Sequence, residues 1–383
     1  MSSWQAPNTT AQTAVTGSST HPRPLGVALV GLGFGEKVHL PALRDCPLTE
    51  PVALWHHRNE RLDQACSTHG LPGFTDFDAL LADPRVDALV IATPPEPRFA
   101  LAQAAIAAGK HLLLEKPVAL EAAQGESLQR QVLQAGVSVA VDFEYRGVPE
   151  FQQFAALLQD GAVGTPWLVK LDWLMGSRAD ASRPWNWYSQ RAAGGGVLGS
   201  LGTHAFDTLH WLVGPTRNLS AQRSMAIPQR PLADGSGRMA AVDAEDIALL
   251  QLEMEDRQGR CIPAQVALAS VTKPGRGYWI EVYGSEGSLV LGSSNQSDYV
   301  HGFKLWRSGP SGALEEISPD PSLAFPKTWL DGRLAAVRRI TQWWAEAARQ
   351  GRPMVPGLSE AVLSQRVCDL ALESADSGVR AQL

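Results

Sequence analysis

The chain has 383 residues, of which 44% are hydrophobic and 19% charged, and a formal net charge of −6. That length suits two domains with a substantial core, and the acidic balance argues against an electrostatic nucleic-acid binder, which would carry a basic patch or stripe. No apolar run reaches the roughly 18 residues a membrane span needs. The four cysteines, Cys46, Cys66, Cys261 and Cys368, lack the paired spacing of a disulfide framework or a zinc site, which fits a reducing, cytoplasmic setting.

Residues 1–24 are polar, rich in Ser, Thr and Ala, and without the apolar centre of a signal peptide, so they read as a disordered tail. From Leu25 short β-rich runs alternate with helical stretches. "LGVALVGLG" is a strand entering a glycine turn, a helix covers about 36–46, and "PVALWHHR" is the second strand. "VDALVIATPP", "HLLLEKP" and "VSVAVDFEYR" continue the series, with the helix "LAQAAIAAGK" between the first two. Continuously apolar strands indicate a parallel sheet covered on both faces, and the alternation is that of a doubly wound α/β domain over residues 25–146. After Arg146 the strands lengthen and fewer helices intervene, as in "GTPWLVKLDWL", "EDIALLQLEME" and "YWIEVYGSEGSLVL". Residues 147–383 therefore read as a second, α+β domain with a large, mostly antiparallel sheet. It ends in two helices, each stopped by glycine.

Two glycine-rich stretches compete as ligand loops. In "VALVGLGFGEKVHLPAL", Gly31, Gly33 and Gly35 follow the first strand and open a helix. This is where a dinucleotide fingerprint lets the backbone approach a pyrophosphate, Phe34 lying within it, although Glu36 stands where a third glycine is usual. About twenty residues on, an acid would bind the ribose hydroxyls. Here His57 and Arg58 stand instead, so the cofactor is NADP or NAD, with NADP favoured because an arginine fork suits a 2′-phosphate.

Further along, Glu115 and Lys116 end a buried strand in "AGKHLLLEKPVAL", the edge at which open α/β sheets bind ligands. Lys116 can hold a reacting oxygen and stabilise its developing charge. The second glycine run, "GGGVLGSLGTHAFDTLHWLVG", leads into a helix on which Ser200, His204, Asp207 and Trp211 fall at i, i+4, i+7 and i+11, one face. His204 can accept or return a hydroxyl proton, and Asp207 can hold a substrate hydroxyl or orient the imidazole. A zinc reading of His204, Asp207 and His210 lacks a further ligand cluster. Trp187 is a candidate wall for a sugar face, and Arg146 a candidate anion contact.

In order, "GLGFG…H-x-P", "ATPP", "AAGKHLLLEKP", "DFEYR" and "GGGVLGSLGTHAFD" resemble the Gfo/Idh/MocA family of NAD(P)-dependent oxidoreductases. The resemblance implies a Rossmann domain followed by an α/β domain whose open sheet joins subunits into homodimers or homotetramers, and a sugar, polyol or related hydroxylated substrate. It places Thr93, Pro94, Pro95 and Glu115 with Lys116 on the cofactor side, and the second glycine run beside the substrate, opposite the nicotinamide. Its pattern here is D-x-G-x-H, which puts an aspartate where this chain has Ser200. A serine supplies no charge, so two alternatives to a dehydrogenase stay open. One is a cofactor-binding sensor; the other is a lyase or glycosidase that uses transient oxidation.

Overall fold

The computed structural model describes residues 23–295, 301–309 and 312–383. The tail expected over residues 1–24 lies outside them up to residue 22. Arg23 is already held by Asp87, with donor distances of 2.6 and 2.8 Å.

The first sheet contains β1 (Leu25–Val30), β2 (Thr49–Trp55), β3 (Gly73–Phe74), β4 (Ala88–Ile91), β5 (His111–Leu114) and β6 (Val139–Val141). All pair in parallel in the order β3-β2-β1-β4-β5-β6, the dinucleotide-binding arrangement of the doubly wound fold. The connecting helices include α1 (Leu40–Asp45), α2 (Asn59–His69), α3 (Phe77–Ala82), α4 (Pro95–Ala107) and α5 (Ala122–Ala135). Both sheet faces are buried. Val30, Ile91 and Leu114 pack on one side; Val27, Leu29 and Leu113 pack on the other. That double burial is why the strands read as unbroken apolar runs. The chain order reverses between β1 and β4, and the gap beyond their carboxyl ends is the cleft such a sheet offers a ligand.

The last strand is shorter than "VSVAVDFEYR" suggests. It stops at Val141, and Glu144–Gly147 form a tight helical turn that buries Glu144 and Arg146. That turn feeds α6 (Pro149–Gln159), after which come β7 (Pro166–Leu174), α7 (Thr203–Leu212) and β8 (Thr216–Ser224). A small ribbon, β9 (Gln229–Pro231) with β10 (Met239–Ala241), precedes β11 (Ile247–Glu255), β12 (Cys261–Ala269), β13 (Gly277–Gly284), β14 (Ser288–Ser293), β15 (Lys304–Ser308) and β16 (Leu314–Ile317). The chain closes with α8 (Arg333–Arg349), α9 (Leu358–Ser377) and β17 (Ala381–Gln382).

The second sheet has nine strands in the order β16-β15-β14-β13-β7-β12-β11-β8-β17. Only β7 with β12 is parallel; the other pairs are antiparallel. Its strands alternate. Ile262, Ala264 and Val266 point inward while Cys261, Pro263 and Gln265 face out, the signature of a sheet covered on one side. The inner face packs on α6, α7 and α9 through Phe151, Phe154, Phe206, Leu209 and Val367. Helix α8 leaves this domain and returns to the first, where Ile340, Trp344 and Ala347 share a core cluster with Val27, Leu29 and Leu40. All four cysteines are free, and no helix among the described residues is long and apolar enough to cross a membrane.

Candidate active site

A cavity of about 1230 Å³ opens at the carboxyl ends of β1, β4 and β5 and runs beneath the second glycine segment. It exceeds the usual range for a small-molecule pocket, leaving room for a dinucleotide beside a substrate. The two domains each supply a wall.

The first wall begins with the glycine turn after β1. Gly31 has φ +99°, and a Cβ there would lie 2.8–2.9 Å from the backbone of Ala92 and Thr93, so only glycine lets β1 and β4 end this close together. Gly33 is different, because a Cβ would meet nothing within 4 Å. Its bare backbone faces the cavity, as an approach to phosphate requires. Phe34, Thr93 and Pro94 also face the cavity, and the buried hydroxyl of Thr93 has no protein partner. An open glycine cradle, a helix starting behind it and an unsatisfied hydroxyl together fit a dinucleotide.

Gly35 is not on this wall. A Cβ there would press on Leu29 Cδ1 at 3.0 Å and Ala92 Cβ at 3.1 Å, so Gly35 seats the helix on the sheet, the packing task of a fingerprint's last glycine. Glu36 is occupied, pairing with Arg61 and with His69 Nε2 at 2.9 Å. His57 reaches the cavity, stacked on His56 with ring centres 4.5 Å apart. Arg58, at the start of α2, is exposed next to His57 and does not itself line the cavity; Pro95 does not line it either and is buried in the first turn of α4.

Lys116 and Glu115 lie between the walls. The Lys116 Nζ donates to the Ser200 carbonyl at 2.8 Å, bridging the domains. Glu115 Oε1 accepts from His39 Nε2 at 2.8 Å, and Asp142 lies 3.6 Å from the same nitrogen. Burial works against the Glu115 carboxylate, but His39, Lys116 and Arg98 together hold it below the usual carboxylate range. For Asp142, burial with Glu115 and Glu144 nearby drives the carboxyl well above its usual value. Arg98 is buried and donates to the carbonyls of Glu115 (2.8 Å), Pro117 and Thr93, which ties together the segments ending β4 and β5.

The second wall carries His204, Ser200, Tyr188, Trp187, Trp173 and Arg178. His204 sits in the first turn of α7, packed edge-on against Tyr145. Burial, with Lys116 nearby, takes its pKa well below the ordinary histidine value, so the imidazole is neutral at pH 7. Its Nε2 lies 3.3 Å from Glu144 Oε2. Burial raises the Glu144 carboxyl to about 7, against the pull of Lys116. The Ser200 hydroxyl donates to the Gly196 carbonyl at 2.7 Å. Having only one proton to give, it must accept from the Tyr188 hydroxyl 2.6 Å away.

Two expected site residues take a different task. Asp207 Oδ1 and Oδ2 accept from Arg146 Nη2 and Nε at 2.7 and 2.8 Å, both side chains are buried, and neither faces the cavity. Asp207 therefore does not hold a substrate hydroxyl, and Arg146 does not offer itself to an anion. The helical stripe is real, but the turn at 144–147 lies along it and supplies partners for two of its four members, Glu144 for His204 and Arg146 for Asp207. Glu144 is the residue that the spacing argument missed. Its signal was a carboxylate two residues before Arg146, just past a buried strand.

Comparison with known proteins agrees with this geometry. Residues 25–143 match the "Oxidoreductase family, NAD-binding Rossmann fold" and residues 155–383 the "Oxidoreductase family, C-terminal alpha/beta domain". The chain belongs to the Gfo/Idh/MocA oxidoreductase family. It is 42% identical over 351 residues to an uncharacterised oxidoreductase of Synechocystis sp., spanning 91% of this chain and 94% of that one. It is 28% identical to levoglucosan dehydrogenase of Pseudarthrobacter phenanthrenivorans, covering 78% of this chain and 84% of that protein. D-apiose dehydrogenase of Paraburkholderia graminis is 26% identical, with 90% and 85% covered. A solved levoglucosan dehydrogenase in complex with NADH and L-sorbose superposes with a TM-score of 0.82 at 23% identity, covering 94% and 98%.

Proposed function

We propose that this protein is an NAD(P)-dependent dehydrogenase that oxidises a hydroxyl-bearing carbon of a sugar, polyol or related small molecule. The supporting observation is that Lys116, from the Rossmann sheet, and His204, from the second domain, face one cavity beside the glycine turn. The nicotinamide, when bound, supplies the two-electron acceptor that takes a hydride from the carbinol carbon. The Lys116 ammonium holds the reacting oxygen and stabilises charge as the O–H proton leaves. That proton passes to the His204–Glu144 pair, where a carboxyl titrating near 7 is matched to proton transfer at neutral pH. Glu144 thus supplies the carboxylate that position 200 lacks, and the serine there is no ground for reading the chain as a sensor without catalysis.

For the cofactor we favour NADP. Among the described residues no free carboxylate stands at the end of β2, Glu36 is engaged by Arg61 and His69, and His57 and Arg58 are exposed there. A lower KM for NADP than for NAD, with the preference lost in Arg58→Ala, is the expected result; equal KM values would overturn it. The second sheet leaves its outer face, including Leu168 and Leu249, exposed, and we assign that face to a homodimer or homotetramer in a cytoplasmic setting. Purified protein incubated with either dinucleotide and a panel of sugars and polyols, followed at the reduced-nicotinamide absorbance, tests the activity. Cofactor binding with no turnover in either direction would overturn it.

A further inference from the structure

The substrate wall contains a cation whose charge the protein does not neutralise. Arg178 follows β7 and faces the cavity, with its guanidinium carbon 3.2 Å from the centre of the Tyr188 ring. The other cavity-facing arginines are engaged. Arg98 donates to three backbone carbonyls, and Arg333 is paired with Asp331. Among the described residues no carboxylate forms an ion pair with Arg178. Burial lowers its pKa to about 10, and the neighbouring Arg183 and Arg230 add to the effect, so it remains charged at neutral pH without an anion to offset its desolvation.

Its position is fixed from several sides. The Arg178 amide donates to the Ser270 carbonyl at 2.8 Å, and its own carbonyl accepts from Arg230 at 2.7 Å. The Tyr188 ring lies beneath the guanidinium, its centre 3.2 Å from the guanidinium carbon. A guanidinium over an aromatic face keeps N–H groups free for an anion, and its planar fork can take a carboxylate in two parallel hydrogen bonds. A short chain of contacts links this platform to the reacting end of the cavity: Tyr188 donates to Ser200 Oγ at 2.6 Å, and the Ser200 carbonyl accepts from Lys116. Ser200 brings no negative charge that would compete for the arginine.

Resting on the dehydrogenase reading, we propose that the substrate is a hydroxylated carboxylate, an aldonate or a uronate, with its acid group bound by Arg178 and its reacting hydroxyl at Lys116. A phosphate of the cofactor is excluded as the partner by position. The glycine cradle lies on the Rossmann wall, whereas Arg178 belongs to the opposite wall, beside Tyr188 and Trp187.

The test compares acids with their neutral parents, D-gluconate and D-glucuronate against D-glucose and D-galacturonate against D-galactose, in the dehydrogenase assay. In parallel, the intrinsic fluorescence of the cofactor-saturated protein is followed, since Trp173 and Trp187 line the cavity. At least one acid is expected to surpass its neutral parent in kcat/KM by about 10- to 100-fold, the range of a charge-assisted hydrogen-bonded pair. Arg178→Gln is expected to raise the KM for that acid by a similar factor, with a smaller change in kcat, and Arg178→Lys to retain part of the preference. Equal KM values for acids and neutral sugars, unaltered in both variants, would overturn the proposal, as would a rise confined to the dinucleotide KM. If no compound is oxidised but acids still quench the fluorescence saturably and Arg178→Gln abolishes this, the dehydrogenase reading fails while the anion site stands.

Discussion

Glu144 and His204 share one buried corner with opposite responses to it: burial lowers the imidazole pKa and raises the carboxyl pKa. Under the proposed dehydrogenase mechanism, a neutral imidazole next to a carboxyl that titrates near 7 would make the oxidation rate depend on an ionised Glu144. In the wild type, kcat/KM for oxidation is expected to fall below about pH 7. Glu144→Gln is expected to lose that limb and about 10²-fold in rate, measured as a pH–rate profile. Stability carries the same signature. The carboxyl titrates at about 4.5 when unfolded and about 7 when folded, so folding takes up a proton between these values and the contribution to stability is lost as pH rises through 7. Glu144→Gln should therefore melt higher than wild type at pH 8 and about equally at pH 4.5, as scanning calorimetry would show. The two glycines of the turn separate in the same way. Gly33→Val places its side chain in open space and should weaken dinucleotide affinity with an unchanged melting temperature. Gly31→Ala meets backbone at 2.8 Å with φ +99° and should lower the melting temperature itself.

Helix α7 and the turn at 144–147 form the joint on which the second wall of the cavity depends. Two residues of the turn meet two residues of the helix, one pair inside the cavity and one pair sealed beneath it. Asp207→Asn removes the charge that offsets Arg146 in a buried place, and breaking such a pair costs about 3–5 kcal/mol. The expected outcome is a marked loss of denaturant stability, with the KM of any residual activity close to wild type. At this scale the sequence was uneven as a guide. Gly31 and Gly33 were legible because a turn between a buried strand and a helix leaves few alternatives, and Lys116 because strand carboxyl ends face the cleft. The stripe of His204 and Asp207 was legible as a stripe, yet its function was not. Helical periodicity says which residues share a face and is silent about what lies across from them, and that face was met by a turn some sixty residues earlier in the chain. Arg178 left no local pattern at all, since its significance comes from Tyr188 lying beneath it.

Across the whole molecule, both sheets followed from the strand pattern, the first from unbroken apolar runs alternating with helices and the second from longer strands with few helices between them. The destination of the last helices did not follow from it. Glycine stops marked the two terminal helices but could not name their partners, and Trp344 joins the core cluster of the first domain rather than that of the second. This placement has a consequence for synthesis. The nascent Rossmann segment leaves the ribosome with one side of its sheet covered only in part, by α1 and α2, and the remaining hollow stays open until roughly the 350th residue has been translated. A fragment ending at residue 146 should emerge as a sticky, dye-binding species, and supplying α8 in trans as a peptide should restore its solubility.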